Sequence, residues 1–233
     1  MKNFLLFLSF IFVCNVVIAQ DEATTSVEID SLYKEDQFYL GLTYNLLGNK
    51  PKDVSQSQIS LGFHFGFIKD MPINKNRNVS IGVGVGYSTN NFNNNLFINE
   101  NENGTSTYQV IDDDIGNYSK NKLAQHLVEI PIEFRWRTST PERYKFWRIY
   151  TGFKLGYLLS STTKFNGDFG DFKSRNNSDF NDFQYGLSLS AGYNTWNIYI
   201  YYGLNAIFNN NAMLNNKHID MNAIKIGLMF YIL

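Results

Sequence analysis

The chain has 233 residues, and its 20 basic and 21 acidic side chains nearly balance, so a nucleic-acid partner is disfavoured. Its one cysteine, Cys14, lies within the first 19 residues, which have the pattern of a removable leader. Disulfides and thiol catalysis are therefore excluded from the expected mature chain.

The leader resembles a secretory signal peptide. Lys2 provides its positive end, an apolar run extends from Phe4 to Ile18, and cleavage is expected near Ala19. The apolar run is shorter than the roughly 20 residues that a membrane-spanning helix needs. A lipid anchor on Cys14 is disfavoured because Val13 precedes it, where a small residue is the rule. We expect Sec-type export and three parts: a signal peptide (1–19), a periplasmic segment (20–36) and a β-barrel (37–233).

After the leader, eight runs alternate between bulky apolar residues and small or polar residues. This period of two is typical of β-strands. Each run has about the 9–11 residues that a tilted transmembrane strand needs. In chain order the runs cover residues 38–46, 59–67, 79–87, 128–137, 146–159, 183–193, 198–208 and 222–232.

The links between these runs alternate in length. Short links lie near residues 69–78, 138–145 and 194–196, and the longer links lie near residues 48–57, 90–123, 161–181 and 209–219. Short periplasmic turns and long extracellular loops are typical of outer-membrane barrels. The tryptophans are all at short-turn ends, where they predict a periplasmic girdle: Trp136, Trp147 and Trp196.

These patterns predict an all-β, eight-stranded antiparallel up-and-down transmembrane barrel, integral to the outer membrane and surrounded by its lipid. The alternative is a soluble sandwich or lipocalin-like barrel, in which inside and outside are exchanged. Against it stands the size contrast between the faces, which are bulky and apolar on one side and rich in glycine and serine on the other. The narrow core of a soluble barrel would have to hold all the bulky side chains.

The fourth and fifth strands carry charges on the face predicted to point into the lumen: Glu129, Glu133, Arg135, Arg137, Arg148 and Lys154. A turn centred in the linking segment would place Glu129 opposite Lys154 and Arg135 opposite Arg148. Pro131 suggests a local bulge, because it cannot donate to the ladder. We interpret the set as a structural salt-bridge plug, with a gated polar path, a partner-binding site or catalysis as alternatives.

Small outer-membrane barrels that are enzymes use a histidine together with a serine or a carboxylate. His64, His126 and His218 form no compact arrangement of that kind in the sequence, and His126 is expected on the lipid side. The acidic loop 98–118 could hold a divalent cation that bridges lipopolysaccharide, but a solvated loop is the favoured interpretation. We therefore predict no catalytic residue, no metal and no cofactor.

The run VEIPIEFRWRTST (residues 128–140), continued by YKFWRIYTGFKLGY (residues 144–157), closely resembles the PorT family. These are outer-membrane β-barrel proteins of Bacteroidota, called SprT in gliding bacteria. The resemblance implies a non-enzymatic component of the type IX secretion system, needed for export of proteases and gliding adhesins that carry a C-terminal sorting domain. It is specific within residues 128–157, and elsewhere the chain has a general barrel pattern.

A lumen filled by side chains cannot pass a folded protein, so the resemblance implies an accessory or assembly role rather than a conduit. Other type IX secretion components are then the expected protein partners. Arg143 and Lys145 in the short turn are the candidate contact residues on the periplasmic side. The rival hypothesis is a general small barrel for adhesion or membrane integrity, or a lipid-modifying enzyme.

Overall fold

A computed structural model describes residues 34–56, 58–101, 103–112, 114–139 and 146–232. The predicted signal peptide with its cleavage site near Ala19, residues 20–33, and the turn residues Arg143 and Lys145 lie outside this described part. No helix within it is long and apolar enough to cross a membrane. In chain order its strands are β1 (Gln37–Gly48), β2 (Leu61–Pro72), β3 (Val79–Asn93), β4 (Leu96–Glu100), β5 (Ser106–Val110), β6 (Tyr118–Arg137), β7 (Trp147–Gly167), β8 (Gly170–Arg175), β9 (Phe183–Tyr193), β10 (Trp196–Gly203), β11 (Met213–Leu214), β12 (Lys217–His218) and β13 (Asn222–Ile232).

Eight of these strands close into a barrel. The order around the wall is β1-β2-β3-β6-β7-β9-β10-β13, and β13 pairs with β1 to complete the ring. Every pairing is antiparallel, so the predicted eight-stranded up-and-down barrel is confirmed. Closure leaves none of the eight described wall strands as a sheet edge, which is the condition for a sheet to lie in lipid.

The apolar face of each barrel strand points outward. In β1, Phe38 and Leu42 are 61% and 59% exposed, whereas Thr43 and Asn45 on the opposite face are buried. The same alternation runs around the wall, because side chains of a strand point to opposite faces in turn. The soluble-sandwich alternative required these bulky side chains in the core, and the structure places them outside.

The two ends of the barrel differ. Residues 73–78, 138–146 and 194–195 link neighbouring strands at one end. At the other end, β6 and β7 continue well beyond the predicted runs, and β8 folds back to pair with β7. The β4–β5 hairpin and the small β11–β12 hairpin also lie in the longer connections. Short turns and long loops therefore separate as predicted.

The predicted seventh run ends earlier than expected. β10 stops at Gly203, and Phe208, predicted on the outward face, is buried against Phe180 with 4.7 Å between ring centroids. Asn205 explains the change, because its side chain accepts a hydrogen bond from Tyr185 N and donates one to Phe183 O. This amide takes the place of a ladder partner, and the chain then turns into the interior.

The predicted register of the charged hairpin was wrong by two residues. Glu129 pairs with Gly156, and Arg135 pairs with Tyr150, whereas Lys154 and Arg148 were predicted opposite them. A shift of two keeps every side chain on its predicted face, because the side-chain period is also two. The apolar pattern therefore could not distinguish these two registers.

The predicted bulge at Pro131 was also wrong. Pro131 pairs regularly with Lys154, and the irregularity in β6–β7 falls between His126 and Leu127. On the β3 side the ladder stops at Val83–Ile132 and resumes at Gly86–Glu129, after two unpaired positions and in the same register. The missing proline N–H therefore coincides with a local gap in one ladder, without an inserted residue.

Candidate functional site: the barrel lumen

Asp70 is the centre of the lumen at the short-turn end. Its carboxylate accepts hydrogen bonds from Arg137 Nη2 (2.8 Å), Arg135 Nη1 (3.3 Å) and Ser80 Oγ (2.6 Å). Arg135 Nε also donates to Glu133 Oε2 at 3.0 Å. The two guanidiniums come from neighbouring inward positions of β6, whereas Asp70 comes from β2, so the cluster ties two walls of the barrel together.

Glu129 is the centre of a second cluster nearer the middle of the barrel. Lys154 Nζ lies 3.0 Å from Glu129 Oε2, and Lys225 Nζ lies 3.7 Å from Oε1. Ser88 Oγ donates to Oε1 at 2.8 Å, and His64 Nδ1 lies 3.7 Å from Oε2. One buried carboxylate thus faces two ammonium groups, which balances charge that would be costly to leave unpaired.

Contacts cross the full diameter of the ring. β6 and β13 are opposite each other in the eight-strand order, and the Glu129–Lys225 ion pair joins them. β1 and β7 are also opposite, and Lys154 Nζ lies 5.8 Å from the ring centroid of Tyr39. Eight strands leave an interior just wide enough for side chains, and here those side chains meet at the centre.

Aromatic rings also contact the guanidinium groups of the lumen. The Arg135 guanidinium lies 4.4 Å from the ring centroid of Tyr150, and the Arg148 guanidinium lies 4.5 Å from that of Phe146. Within the described part of the chain, Nε and Nη1 of Arg148 make no hydrogen bond. The guanidinium of Arg148 is therefore held by its cation–π contact with the ring of Phe146.

The buried charges of the lumen nearly balance. Five cations face four carboxylates among the described residues: Arg135, Arg137, Arg148, Lys154 and Lys225 against Glu35, Asp70, Glu129 and Glu133. Above them, toward the long loops, the interior is apolar and contains Phe92, Leu123, Phe180, Ile207, Phe208 and Met221. The arrangement is a cross-linked filling, with ionic contacts below and a hydrophobic core above.

Comparison with known proteins identifies the family. The profile described as "Outer membrane protein beta-barrel domain" matches residues 18–209. The chain belongs to this family. As an outer-membrane barrel domain it places its outward apolar wall against lipid, and the charged lumen lies inside the membrane.

Comparison with solved structures and with curated proteins adds no further evidence for the family. Two similar structures are of Ail, the attachment invasion locus protein of Yersinia pestis. One is in complex with the heparin analogue sucrose octasulfate (TM-score 0.39) and one is without it (0.33), each at 11% identity over 86% of this chain and 100% of that chain. A mutant Rh. blastica porin matches at 9% identity over the same shares, with a TM-score of 0.22. No curated protein matches the chain. The family assignment therefore rests on the profile match.

In this outer-membrane barrel the tryptophans lie at the short-turn end, as the girdle prediction requires. Trp147 and Trp196 are the first residues of β7 and β10, and Trp136 is next to the last residue of β6. All are exposed on the outward wall, where Trp196 packs on Phe230 with 4.8 Å between ring centroids. Indole rings favour the membrane interface, so this position agrees with the girdle, which stays a prediction.

His64 forms an arrangement that the sequence pattern did not reveal. Its Nε2 lies 3.1 Å from Thr43 Oγ1, and its Nδ1 faces Glu129, which gives the order hydroxyl–imidazole–carboxylate. The hydroxyl proton of Thr43 is donated to Asn45 Oδ1 at 2.8 Å, and Asn45 Nδ2 donates to Asn91 O, which orients the amide. Thr43 therefore accepts from Nε2–H, which is the wrong direction for a histidine that activates a nucleophile.

Three charged lumen residues were missed at the sequence level. Asp70 follows His64 and Ile68 on the inward face of β2, beyond the predicted end of that strand. Lys225 sits between outward residues of β13, so the alternation itself placed it inside. Glu35 was assigned to the periplasmic segment, but it is 4% exposed and its Oε1 lies 3.7 Å from Arg137 Nε. The lumen filling thus begins before β1.

The remaining candidates lie away from the lumen. His126 is on the outward face, where its Nδ1 is 2.6 Å from Tyr87 Oη, and His218 is exposed in β12. In the acidic loop, Asp112 caps a turn by accepting from Ile115 N, and Glu100 accepts from Ser174 Oγ. Among the described residues, no group of three or more His, Cys, Asp or Glu side chains is placed to hold a metal ion.

Proposed function

We propose that the protein is a non-enzymatic, non-conducting outer-membrane barrel that acts through its outer surfaces. The observation that carries the proposal is the meeting of side chains from opposite strands at the barrel centre. Glu129 reaches Lys225 across one diameter, and Lys154 reaches Tyr39 across another. Opening a path through the lumen would separate buried opposite charges, at a cost on the order of several kcal/mol for each ion.

The outer surfaces remain as the parts available for function. The wall offers apolar residues to lipid or to a neighbouring membrane protein, as in Ile130, Ile132 and Phe134 of β6. The long loops offer a folded extracellular surface held by internal hydrogen bonds. Adhesion and support of membrane integrity are functions that such surfaces can perform without a pore or an active site.

Solute release from liposomes tests this proposal. Purified protein is reconstituted into liposomes loaded with a small sugar, with a general porin in parallel as the positive control. We expect release at the rate of protein-free liposomes, whereas the porin empties its liposomes. Porin-like release by the wild-type protein would show that the lumen opens and would refute the proposal.

A second candidate is an accessory or assembly role in type IX secretion, supported by the resemblance of residues 128–157 to the PorT family. The same segment supplies four of the five lumen cations: Arg135, Arg137, Arg148 and Lys154. Its other face is an exposed apolar strip that could contact a larger barrel of the secretion system. On this reading the protein partners are other type IX components, and the cargo carries C-terminal sorting domains.

Deletion of the gene separates the two candidates. The secretion role predicts loss of cargo with C-terminal sorting domains from the medium and cell surface, with a normal profile restored by the wild-type gene. A general barrel role predicts an unchanged cargo profile after deletion.

The periplasmic turn gives a sharper version of that test. Arg143→Glu with Lys145→Glu should impair cargo export without lowering the amount of folded barrel, if the turn contacts a partner. The matched control, Lys50→Glu with Lys52→Glu, changes the same charge in the long connection between β1 and β2 and should leave export intact. Normal export by the turn variant would count against the turn as a contact site.

A further inference from the structure

A row of like charges crosses three strands above the membrane. Lys122 of β6 pairs directly with Lys164 of β7, and Lys164 pairs directly with Lys173 of β8. Directly paired residues of neighbouring strands share a face, so the three lysine side chains start from adjacent positions on one face of the sheet. With Lys120 and Arg175 on the same face, they form what we call the basic face: Lys120, Lys122, Lys164, Lys173 and Arg175.

The basic face points sideways, toward the surroundings of the barrel. In β6, Leu123 and Leu127 are buried inward, so Lys122 lies on the same outward side as Ile130. Lys122 is six residues beyond Val128, the last apolar residue of the outward band before His126. At about 3.3 Å per residue and a tilt near 40°, this places it about 15 Å past the apolar band. The headgroup layer is roughly 5–8 Å thick on each side of the hydrocarbon. The backbone of the basic face therefore lies at the level of the sugars that glycolipids carry, and long lysine side chains can reach back toward the headgroups.

The rest of the face is polar and nearly free of acid. Asn93 pairs with Lys122, and Thr162 pairs with Arg175. Asp171 is its one carboxylate, and it accepts a hydrogen bond from Asn166 Nδ2 at 2.6 Å. The face therefore carries five positive charges and one negative charge. Among the described residues, none of the five cations lies within ion-pair distance of a carboxylate.

Such a row is unfavourable unless a ligand neutralises it. Like charges directly opposite on neighbouring strands destabilise a sheet. Lys122 lies beyond the membrane-spanning part of β6, and partial burial, followed by repulsion from Lys120, lowers its pKa. In the lumen the same chain pairs its cations with carboxylates, whereas the five cations of the basic face have no such partner among the described residues.

We propose that the basic face binds the phosphate groups of glycolipids in the outer leaflet around the barrel. Three features select this occupant. The face continues the lipid-facing wall, it lies just above the headgroup layer within reach of lysine side chains, and its charge is opposite to that of phosphate. Lys122, Lys164 and Lys173 contact phosphate, and the asparagine and threonine side chains beside them hydrogen-bond sugar hydroxyls. This inference does not depend on either proposed function.

Binding of diphosphoryl lipid A to the full chain in detergent tests the proposal. We expect the wild type to retain lipid A in native mass spectrometry. The variant Lys122→Gln/Lys164→Gln/Lys173→Gln should bind about a hundredfold more weakly, because each of the three charges contributes roughly fivefold to the affinity. The matched control Lys50→Gln/Lys52→Gln/Lys217→Gln removes the same charge from other extracellular connections and should bind like the wild type.

Heat-modifiable migration on gels verifies that each variant forms the barrel, and Lys164→Gln alone replaces the triple variant if that one fails to fold. Equal binding by the lysine variant and the wild type would overturn the proposal. So would an equal loss in the matched control, or equal binding of dephosphorylated lipid A. Equal binding to phosphatidylglycerol vesicles would likewise overturn it, because the surface would then be a general anion binder.

Discussion

Lys154 Nζ lies 3.0 Å from Glu129 Oε2, with both side chains buried at the centre of the barrel. Glu129 also faces Lys225, so among the described residues this one carboxylate balances two ammonium groups, from β7 and β13. The stability of the filled lumen should therefore depend more on Glu129 than on either lysine.

Substitution of Glu129 should be strongly destabilising. Glu129→Gln leaves two buried cations without their counter-charge, and we expect a loss of about 3–5 kcal/mol in the free energy of unfolding. Urea unfolding in detergent micelles measures it. Glu133→Gln is the control, because Arg135 keeps its contact with Asp70 and should lose less. Adding Lys154→Met to Glu129→Gln should recover part of the loss, and equal stability of Glu129→Gln and wild type would contradict the account.

A second prediction concerns the close approach of Gly86 to Tyr39. A Cβ at Gly86 would collide with Tyr39 Oη and would lie 2.8 Å from Phe65 O, which is fixed backbone. Gly86→Ala should therefore lower the yield of folded barrel and its unfolding midpoint. At Gly41 an added Cβ meets the flexible end of Met229 at 2.9 Å, so Gly41→Ala should cost less. Heat-modifiable migration on gels measures the unfolding midpoint of each variant. The midpoint of Gly86→Ala should be lower than that of Gly41→Ala, and the reverse order would contradict the prediction.

The loop network should weaken in alkali. Tyr108 Oη donates to Asp179 Oδ2 at 2.7 Å, and burial, followed by that hydrogen bond, raises the pKa of Tyr108 above its usual value near 10. A raised pKa means that the stabilising contribution is complete below about pH 10 and is lost as the pH rises above it. We expect proteolysis of the β4–β5 hairpin to accelerate between about pH 8 and 11 in the wild type. For the Tyr108→Phe variant, which has no hydroxyl to ionise, the rate of proteolysis at about pH 11 should equal its rate at about pH 8.

The tryptophans should report a single membrane depth. Since Trp136, Trp147 and Trp196 all lie at the short-turn end, intrinsic fluorescence in liposomes comes from one interface. Lipids brominated near the glycerol should quench it more than lipids brominated near the chain ends. Stronger quenching by the deep bromines would place this end of the barrel inside the hydrocarbon and refute the girdle.

Alternation in the sequence was enough to predict the strands and their faces. It could not set the register of β6 against β7, since a shift by two leaves Glu129 and Lys154 on the inward face. The true end of β2 could have been predicted from the sequence. The inward series His64, Ile68 and Asp70 continues the alternation into the segment that was predicted to be a turn. The position of Glu35 inside the barrel could not be predicted, because this residue precedes β1 and belongs to no alternating run.

The basic face could not be predicted from the sequence, because it depends on how the strands pair. Lys122, Lys164 and Lys173 are far apart in the chain, and each reads separately as a solvated lysine in a long loop. Only the extension of β6 and β7 and the return of β8 bring them into one row. Similarly, Thr43, His64 and Glu129 come from three strands whose registers no local pattern defines.

Ion conductance in a planar bilayer tests the central claim most directly, because an ion is the smallest probe of a filled lumen. The account predicts that the wild-type barrel inserts without current steps, since Glu129, Lys154 and Lys225 join opposite walls. Glu129→Gln should produce intermittent steps if it remains folded, because the ionic cross-link is lost. Steady, porin-like current from the wild-type protein would contradict the account.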